Sequence, residues 1–392
     1  MRKKEPRVEH PRFLFAVTVF AVLIIAAAAY DFRSVHFDRA IADAKENVSH
    51  AIQKVLAPSP PKLDTDEYDK RMLALSHIDI ASTTLSKAPL VVASSTASTT
   101  PPVRLAAVRT ASTSVSIAGR EWPAPAPYPK VGALLPFHRI VAYYGNFYST
   151  AMGVLGEYPE ETLLKKLEGE VQAWEAADPN TPVIPAIHYI VETAQGNPGK
   201  DGRYRLRMPD DQIDKALALA ENVHGLVFLD FQVGLSNVET ELPVYEEYLK
   251  KPNVHLALDP EFSMKTGAKP GTVIGTMDAH DINYAADYLA KLVRENNLPP
   301  KVLVIHRFTY KMVTNYQNIR PLPEVQVVMD MDGWGFGAKK LTTYNTVINP
   351  EPVQFTGFKL FYKNDLKPPS TRLLTPAEVL SLTPSPIYIQ YQ

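Results

Sequence analysis

Three apolar runs in the sequence end directly in an acidic residue, which is how a buried strand would deliver carboxylates to a site. VFLD ends at Asp230, LALD at Asp259 and VVMD at Asp330. Glu261 follows Asp259 with only a proline between them. Residues two apart in a strand point to the same face, so extended backbone through Pro260 would direct Asp259 and Glu261 to the same place. The sequence therefore predicts a cluster of carboxylates.

Such a cluster has the composition that glycosidic bond hydrolysis requires. Crowded carboxylates cannot all ionise easily, so at least one pKa should rise. A protonated carboxylic acid beside an ionised carboxylate can then cleave a glycosidic bond. We expect Glu261 to be the general acid/base, with Asp230 or Asp330 as nucleophile or electrostatic partner. Asp259 would adjust the pKa of its neighbours, or would only cap its loop through backbone amides.

Polar and aromatic residues near the other predicted strand ends could hold a sugar. We expect His188, His306 and Arg307 to orient substrate hydroxyls. Tyr144 and Trp334 would stack on sugar rings. The predicted substrate-binding set is completed by Gln232, Asp332, Lys359 and Tyr391.

A divalent metal at the same strand ends is a second hypothesis, in which the ion activates water for ester, amide or phosphate hydrolysis. Its nitrogen and oxygen ligands would be His188, Asp230, Asp259, His306 and Asp330. The chain lacks HxH and HExxH spacing, and each of these histidines is solitary. The favoured prediction therefore includes no metal and no cofactor.

A third hypothesis is a protein that binds an envelope glycan without cleaving it, because a fold does not imply an activity. The chain lacks the GxSxG motif of a serine nucleophile and has no GxGxxG after its first predicted strand. It has no cysteine, which excludes disulfides and thiolate metal sites, and its net charge of −1 does not favour nucleic acid.

The elements that would position these residues form an alternating pattern from about Glu121 onward. The predicted strands are 138–145, 181–191, 225–234, 254–259, 301–308, 325–333, 353–363 and 386–392. The predicted helices between them are 159–177, 209–223, 241–251, 278–297, 310–319, 338–348 and 375–382. Continuous apolar strands alternating with helices predict a parallel sheet. Eight such units fit a (β/α)8 TIM barrel, with a doubly wound open sheet as the alternative.

The stretch IVAYYGNF resembles the first strand of chitinase-type barrels. Over about residues 136–392 the chain resembles the TIM-barrel glycoside hydrolases in architecture. This resemblance implies a site at the carboxyl ends of the strands and a polysaccharide substrate. The DxxDxDxE signature of chitinases and an Asn–Glu pair at the end of strand four are absent, so the resemblance assigns no catalytic residue.

The N-terminus carries the pattern of an exported protein. Basic residues in 1–12 precede an uncharged apolar run, which is long enough to cross a bilayer. The basic flank should stay in the cytoplasm and place the remainder outside, and a cleaved signal peptide would also export it.

The predicted layout has five parts. They are a cytoplasmic tip (1–12), a transmembrane helix or signal anchor (13–31), a juxtamembrane helical segment (32–80), a Ser/Thr/Ala/Pro-rich linker (81–120) and the barrel (121–392). An apolar stripe on the juxtamembrane helix suggests weak self-association. We therefore expect a single-pass membrane protein whose C-terminal domain lies outside the cytoplasm, or a secreted one if the N-terminal segment is cleaved.

Overall fold

The computed structural model describes residues 62–78 and 121–392. The fold belongs to a unit that runs from Leu63 to Gln392. The predicted transmembrane segment and the linker 81–120 lie outside the described residues, as does most of the juxtamembrane segment. Within the described residues, no helix is both long enough and apolar enough to span a membrane.

The predicted TIM barrel is confirmed. The eleven strands are β1 Arg139–Gly145, β2 Val183–Ala194, β3 Arg205–Arg207, β4 Leu226–Phe231, β5 Val254–Leu258, β6 Met277–Asp278, β7 Lys301–Arg307, β8 Val313–Thr314, β9 Val325–Met331, β10 Phe355–Leu360 and β11 Tyr388–Tyr391. Eight of them pair in parallel in the order β1, β2, β4, β5, β7, β9, β10, β11. The last strand pairs with the first, which closes the sheet: Val141 lies opposite both Pro185 and Ile389.

Strand alternation divides the core into two layers. Val141 and Tyr143 of β1 pack outward with the surrounding helices, whereas Ile140 and Ala142 face the lumen. Both sets are buried, which explains why the strands are continuous apolar runs. On each barrel strand, a residue an even number of positions from a lumen residue also faces the lumen. Tyr144 is such a residue on β1.

The helices cover the outside of the barrel and the end of the barrel at which the strands begin. They are α1 Thr65–Leu75, α2 Glu160–Ala177, α3 Asp210–Asn222, α4 Val238–Glu241, α5 Glu246–Leu249, α6 Ala279–Asn296, α7 Gly337–Thr343 and α8 Pro376–Leu380. A π-helical turn, Tyr344–Ile348, continues α7, and a 3-10 turn, Leu242–Tyr245, joins α4 to α5. The side chain of Asp278 begins α6 by accepting from the backbone N–H of His280.

The helix predicted over 310–319 is wrong. This segment forms two 3-10 turns, Tyr310–Met312 and Tyr316–Asn318, with β8 between them. The guanidinium of Arg307 donates to the carbonyl oxygens of Tyr310 and Val313 at 3.1 and 3.3 Å. The buried side chain of Arg307, three and six residues earlier in the chain, thus takes backbone acceptors that a helix would use internally.

Helix α1 closes the amino-terminal end of the barrel. Its Tyr68 and Met72 are buried against lumen residues at the strand starts, such as Ile140. Arg71 donates to the carbonyl oxygens of Phe137 and Asn180, which precede β1 and β2. Helix α1, which lies within the predicted juxtamembrane segment 32–80, is therefore part of the barrel core.

We predict that Met72→Ala destabilises the barrel. Met72 is 7% exposed, and truncating a buried methionine typically lowers the free energy of unfolding by about 2–5 kcal/mol. Urea denaturation followed by circular dichroism measures the change. Lys70→Ala, on the exposed face of the same helix, is the matched control and should change the stability by less than about 0.5 kcal/mol. Equal stability of the two variants would show that α1 does not contribute to the core.

Candidate active site

A cleft of about 750 Å³ opens at the carboxyl ends of the strands. Its wall contains three acidic side chains and two lysines, from Asp259, Glu261, Asp332, Lys339 and Lys359. Aromatic side chains contribute the apolar part of the wall, namely Tyr144, Phe262, Phe308, Trp334 and Phe361. The cleft therefore combines groups that transfer protons with surfaces that can contact a sugar ring.

Asp259 and Glu261 reach the cleft by a turn and not by continued strand. Pro260–Phe262 is a 3-10 turn, and the side chain of Asp259 accepts from the backbone N–H of Glu261 at 3.2 Å. The extended backbone predicted through Pro260 is wrong, because the Asp259 side chain caps the turn. Gly275 donates its N–H to the carbonyl oxygen of Glu261, and a Cβ at Gly275 would lie 2.6 Å from that oxygen. This close approach holds Glu261 in place.

The acids of the cleft have raised pKa values, in the direction that their crowding predicts. Burial raises the pKa of Glu261, and the nearby Lys359 ammonium opposes this in part. Burial, followed by the charges of Asp230 and Asp332, raises the pKa of Asp259 well above its usual range. Burial raises the pKa of Asp332 to about 6. Burial therefore shifts the protonation equilibrium of Glu261 and of Asp259 towards the carboxylic acid, compared with an exposed side chain.

Lys359 and Gln232 organise these acids. The Lys359 ammonium lies 3.6 Å from the ring centroid of Tyr144, so its charge is held against an aromatic face inside the lumen. The amide of Gln232 donates to Asp259 Oδ2 at 3.2 Å and to the Tyr144 hydroxyl at 3.3 Å. Its oxygen accepts from the backbone N–H of Ala194. Gln232 therefore fixes the orientation of Asp259.

A second group of polar side chains, which we call the lower polar layer, lies beneath the cleft floor. His188, Asp230, His306 and Asp330 are fully buried in the lumen, and none of them lines the cleft. His306 Nε2 lies 3.7 Å from Asp230 Oδ1, and His188 Nε2 lies 3.8 Å from Asp230 Oδ2. The ring of Tyr144 lies above both histidines, with centroid distances of 5.2 and 5.9 Å. Substrate in the cleft would meet Tyr144 first.

Burial controls the ionisation of this lower layer. It lowers the pKa of His188 to about 4 and also lowers the pKa of His306, so both imidazoles are neutral near pH 7. Burial by itself would raise the pKa of Asp230, but His306, His188 and Lys359 outweigh it and the net shift is downward. Burial raises the pKa of Asp330 to about 7.

Trp334 lies at the mouth of the cleft. Its side chain is 49% exposed, and it follows β9 in a glycine-containing loop. The ammonium groups of Lys339 and Lys367 lie 4.9 and 5.0 Å from its ring. The backbone N–H of Gly335 donates to Asp365 Oδ1, which holds the loop. An exposed, supported indole of this kind can stack on a ligand.

Arg307 and Tyr391 are not part of the cleft, so their predicted role in substrate binding does not fit their placement. Both are outward-facing strand positions, one residue beyond the lumen residues His306 and Gln390. Arg307 binds backbone carbonyls and the carboxylate of Glu351. Tyr391 is buried and accepts a hydrogen bond from the indole N–H of a helix residue.

Strand alternation would have identified residues that the sequence analysis missed. Tyr388 and Gln390 lie on the lumen face of β11 and hydrogen-bond to His188 Nδ1 at 2.5 and 3.0 Å. Phe308 and Phe361, directly after β7 and β10, line the cleft. Counting every second residue from an apolar lumen position selects Tyr388 and Gln390. Phe308 and Phe361 reach the cleft through loop conformations that no sequence pattern predicts.

Comparisons with known proteins add little to this geometry. No family model matches the chain, and no curated protein matches it. Among solved structures that do match is a ruminal GH26 endo-beta-1,4-mannanase, with 12% sequence identity and a TM-score of 0.32. The match covers 65% of this chain and 59% of the mannanase, so the chain spans less than two thirds of that protein. This likeness is too weak to indicate a shared activity.

Proposed function

We propose that this chain is a glycoside hydrolase-like enzyme that cleaves a polysaccharide in the cleft at the barrel mouth. The observation that carries the proposal is the composition of that cleft. Glu261 and Asp332 line it together, and the exposed indole of Trp334 stands at its mouth. Glycoside hydrolysis typically requires a pair of carboxyl groups that flank the scissile bond.

Glu261 is the general acid/base in this proposal. It follows β5 on a turn that is fixed by Asp259 and Gly275, which gives the carboxyl group a defined position. Its burial favours the protonated carboxylic acid, the form that donates a proton to the leaving oxygen. Asp259 is oriented by Gln232 and accepts from the backbone N–H of Glu261, so it holds the turn that carries Glu261.

Asp332 is the partner carboxylate. Asp230 and Asp330, the partners expected from sequence, lie beneath the floor and do not line the cleft, whereas Asp332 does. Asp332, directly after β9, is thus the acid that can contact a sugar ring in the cleft together with Glu261, which follows β5. It would act as nucleophile or as general base, depending on its distance from Glu261 across the bound sugar.

The test is hydrolysis by the full chain on a panel of envelope and plant polysaccharides. We expect reducing sugar to appear on at least one polymer and to persist after brief treatment with EDTA. Loss of release with EDTA, restored by zinc, would instead favour the metal-dependent hydrolase. Binding to a polymer without any release, measured by affinity electrophoresis, would favour the non-catalytic glycan-binding protein.

Trp334→Ala should weaken substrate binding more than it slows catalysis. Loss of a stacking surface of this type removes about 1 kcal/mol, so KM should rise about fivefold while kcat changes little. Steady-state kinetics on the preferred polymer provide the measurement. Phe336→Ala, an exposed aromatic two residues away that does not line the cleft, is the matched control. A fall in kcat alone would contradict a stacking role.

We also propose that the enzyme works outside the cytoplasm, held by its N-terminal apolar segment. The uncharged run that follows the basic residues of 1–12 supports this location. Expressed with and without residues 1–31, the full chain should sediment with membranes and the truncated chain should not. Equal recovery of both forms in the soluble fraction would contradict a membrane anchor.

A further inference from the structure

The lower polar layer contains an unusual concentration of buried atoms without hydrogen-bond partners. Among the described residues, Nε2 of His188, both nitrogens of His306 and both carboxylate oxygens of Asp230 are buried and unpartnered. All three side chains are at least 99% buried. A buried carboxylate without hydrogen bonds is strongly disfavoured unless a positive charge compensates it. Lys359 is a nearby cation, but its ammonium is held against the Tyr144 ring and makes no hydrogen bond to Asp230.

The distances between these atoms match those of ligands around a single metal ion. One ligand atom from each of His188, Asp230 and His306 lies within 4.8 Å of the other two. The Asp230 oxygens lie 3.7 and 3.8 Å from the two imidazole Nε2 atoms, which is too long for hydrogen bonds. Two ligands bonded at about 2.0–2.1 Å with a tetrahedral angle lie about 3.4 Å apart. A contraction of a few tenths of an ångström therefore brings these three ligands to bonding distance of one ion, which leaves a fourth coordination position without a protein ligand.

Groups behind the two imidazoles hold them in a metal-binding orientation. His188 Nδ1 lies 2.5 Å from the Tyr388 hydroxyl and 3.0 Å from the side-chain amide of Gln390. With the amide oxygen of Gln390 turned to accept a proton from Nδ1, the Nε2 lone pair is directed at Asp230. His306 Nδ1 lies 3.3 Å from Asp330 Oδ2 and 3.5 Å from Asp332 Oδ2, close contacts that lack hydrogen-bond geometry, while its Nε2 faces Asp230. A carboxylate or hydroxyl behind a histidine that binds metal through its other nitrogen is a recurrent arrangement.

We propose that His188, Asp230 and His306 bind one divalent metal ion of the zinc class beneath the floor of the cleft. Two imidazoles and one carboxylate form a ligand set that suits zinc. Asp330 is a positioning residue that orients His306. This proposal departs from the sequence expectation of no metal, and it does not depend on the proposed glycoside hydrolysis.

The ion would be structural and electrostatic, and would not bind substrate. Its three ligands come from β2, β4 and β7 and have almost no exposed surface. Tyr144 lies between this layer and the cleft. The metal would compensate the charge of Asp230 and link three strands across the lumen. A metal-dependent hydrolase would need the ion to be open to substrate, which this placement prevents.

The experiment measures zinc directly in the full-length chain. The purified protein is unfolded with chelator, refolded without metal, incubated with excess Zn²⁺, dialysed and analysed by elemental mass spectrometry. We expect about one zinc per wild-type chain and a melting temperature above that of the metal-free protein. Anomalous diffraction at the zinc edge should place the ion between the two Nε2 atoms and Asp230. No retained zinc, or a zinc peak elsewhere, would overturn the proposal.

Variants separate this site from surface binding. His188→Gln with His306→Gln should reduce retained zinc to less than about one tenth of an equivalent. Asp330→Asn should keep the stoichiometry but weaken zinc affinity about 10- to 100-fold. His280→Asn is the control, because that exposed histidine belongs to a separate group with Glu239 and Asp281. Unchanged zinc in the double variant would overturn the assignment, and the wild-type diffraction result holds even if that variant fails to fold.

Discussion

Glu261→Gln is expected to lower kcat for polysaccharide hydrolysis about 10²- to 10⁴-fold, the usual contribution of a general acid–base group. Glutamine keeps the size of the side chain but cannot donate a proton to the leaving oxygen. Because the backbone turn around residue 261 is fixed by Asp259 and Gly275, the substitution should leave the cleft intact. KM should change little, since the loss lies in the transition state.

Steady-state kinetics, with release of reducing sugar as the signal, measure this effect. Glu247→Gln is the matched control because its carboxylate is 84% exposed and lies outside the cleft. It should retain wild-type rates. A Glu261→Gln variant with a normal melting curve and more than about one tenth of wild-type kcat would exclude Glu261 as the general acid.

The pH dependence of wild-type hydrolysis is a second test of Glu261 as the general acid. Burial raises its pKa, so the acid form should persist above the pH at which an exposed glutamate ionises. Activity should therefore fall on the alkaline side as Glu261 loses its proton. Substrates whose leaving group needs no proton should be far less affected by Glu261→Gln, which is the signature of a general acid.

The barrel should become more stable between pH 7 and pH 10 because of Lys301. This lysine begins β7, is fully buried, and donates to the carbonyl oxygens of Lys251 and Val254 at 2.5 and 2.8 Å. Burial lowers its pKa from 10.5 to about 7. In this pH window the unfolded chain binds a proton at this site that the folded chain has released.

The sign and size of this effect follow from linkage. Stability rises with pH wherever the unfolded state binds more protons, so the contribution of Lys301 should increase by about 3 kcal/mol from pH 7 to pH 10. Lys301→Met removes the titration. The difference in unfolding free energy between wild type and Lys301→Met, measured by urea denaturation at several pH values, should therefore shift in favour of wild type as the pH rises.

The control for this comparison is Lys291→Met, which removes a lysine that is 58% exposed on α6. Its difference from wild type should not follow the same curve. If the difference between wild type and Lys301→Met is flat across this range, burial does not perturb Lys301, and the two carbonyl contacts must stabilise the charged ammonium.

The barrel itself could be predicted from the sequence because its signal is local and repeated. Each strand is an apolar run such as Val254–Leu258, and helices such as α2 begin with acidic residues and continue with a helical stripe. Each strand is an apolar run because both of its faces are buried in the barrel. The apolar pattern of the sequence therefore predicts the architecture directly. The failure at 310–319 occurred where the buried side chain of Arg307, three residues before Tyr310, binds backbone carbonyls that a helix would use.

The site could be predicted only as a set of candidates. The sequence locates carboxylates at strand ends, but it does not show at what height in the lumen each of them lies. Asp332 lies in the cleft, whereas Asp230 lies beneath its floor. That separation depends on strand stagger and on where each strand ends, which are properties of the closed sheet. The turn that begins at Pro260 likewise depends on the side chain of Asp259 and not on strand propensity.

The eight-fold alternation, the acids at strand ends and the apolar N-terminal segment can be recognised from the sequence alone, because each is a pattern of neighbouring residues. Tertiary structure decided which of those residues meet. Closure of β11 onto β1 brings Gln390 and Tyr388 to His188, about two hundred residues away, and the curvature of the sheet brings His306 of β7 within 3.7 Å of Asp230 of β4. Contacts across the lumen depend on the geometry of the whole barrel, and no local stretch of sequence encodes that geometry.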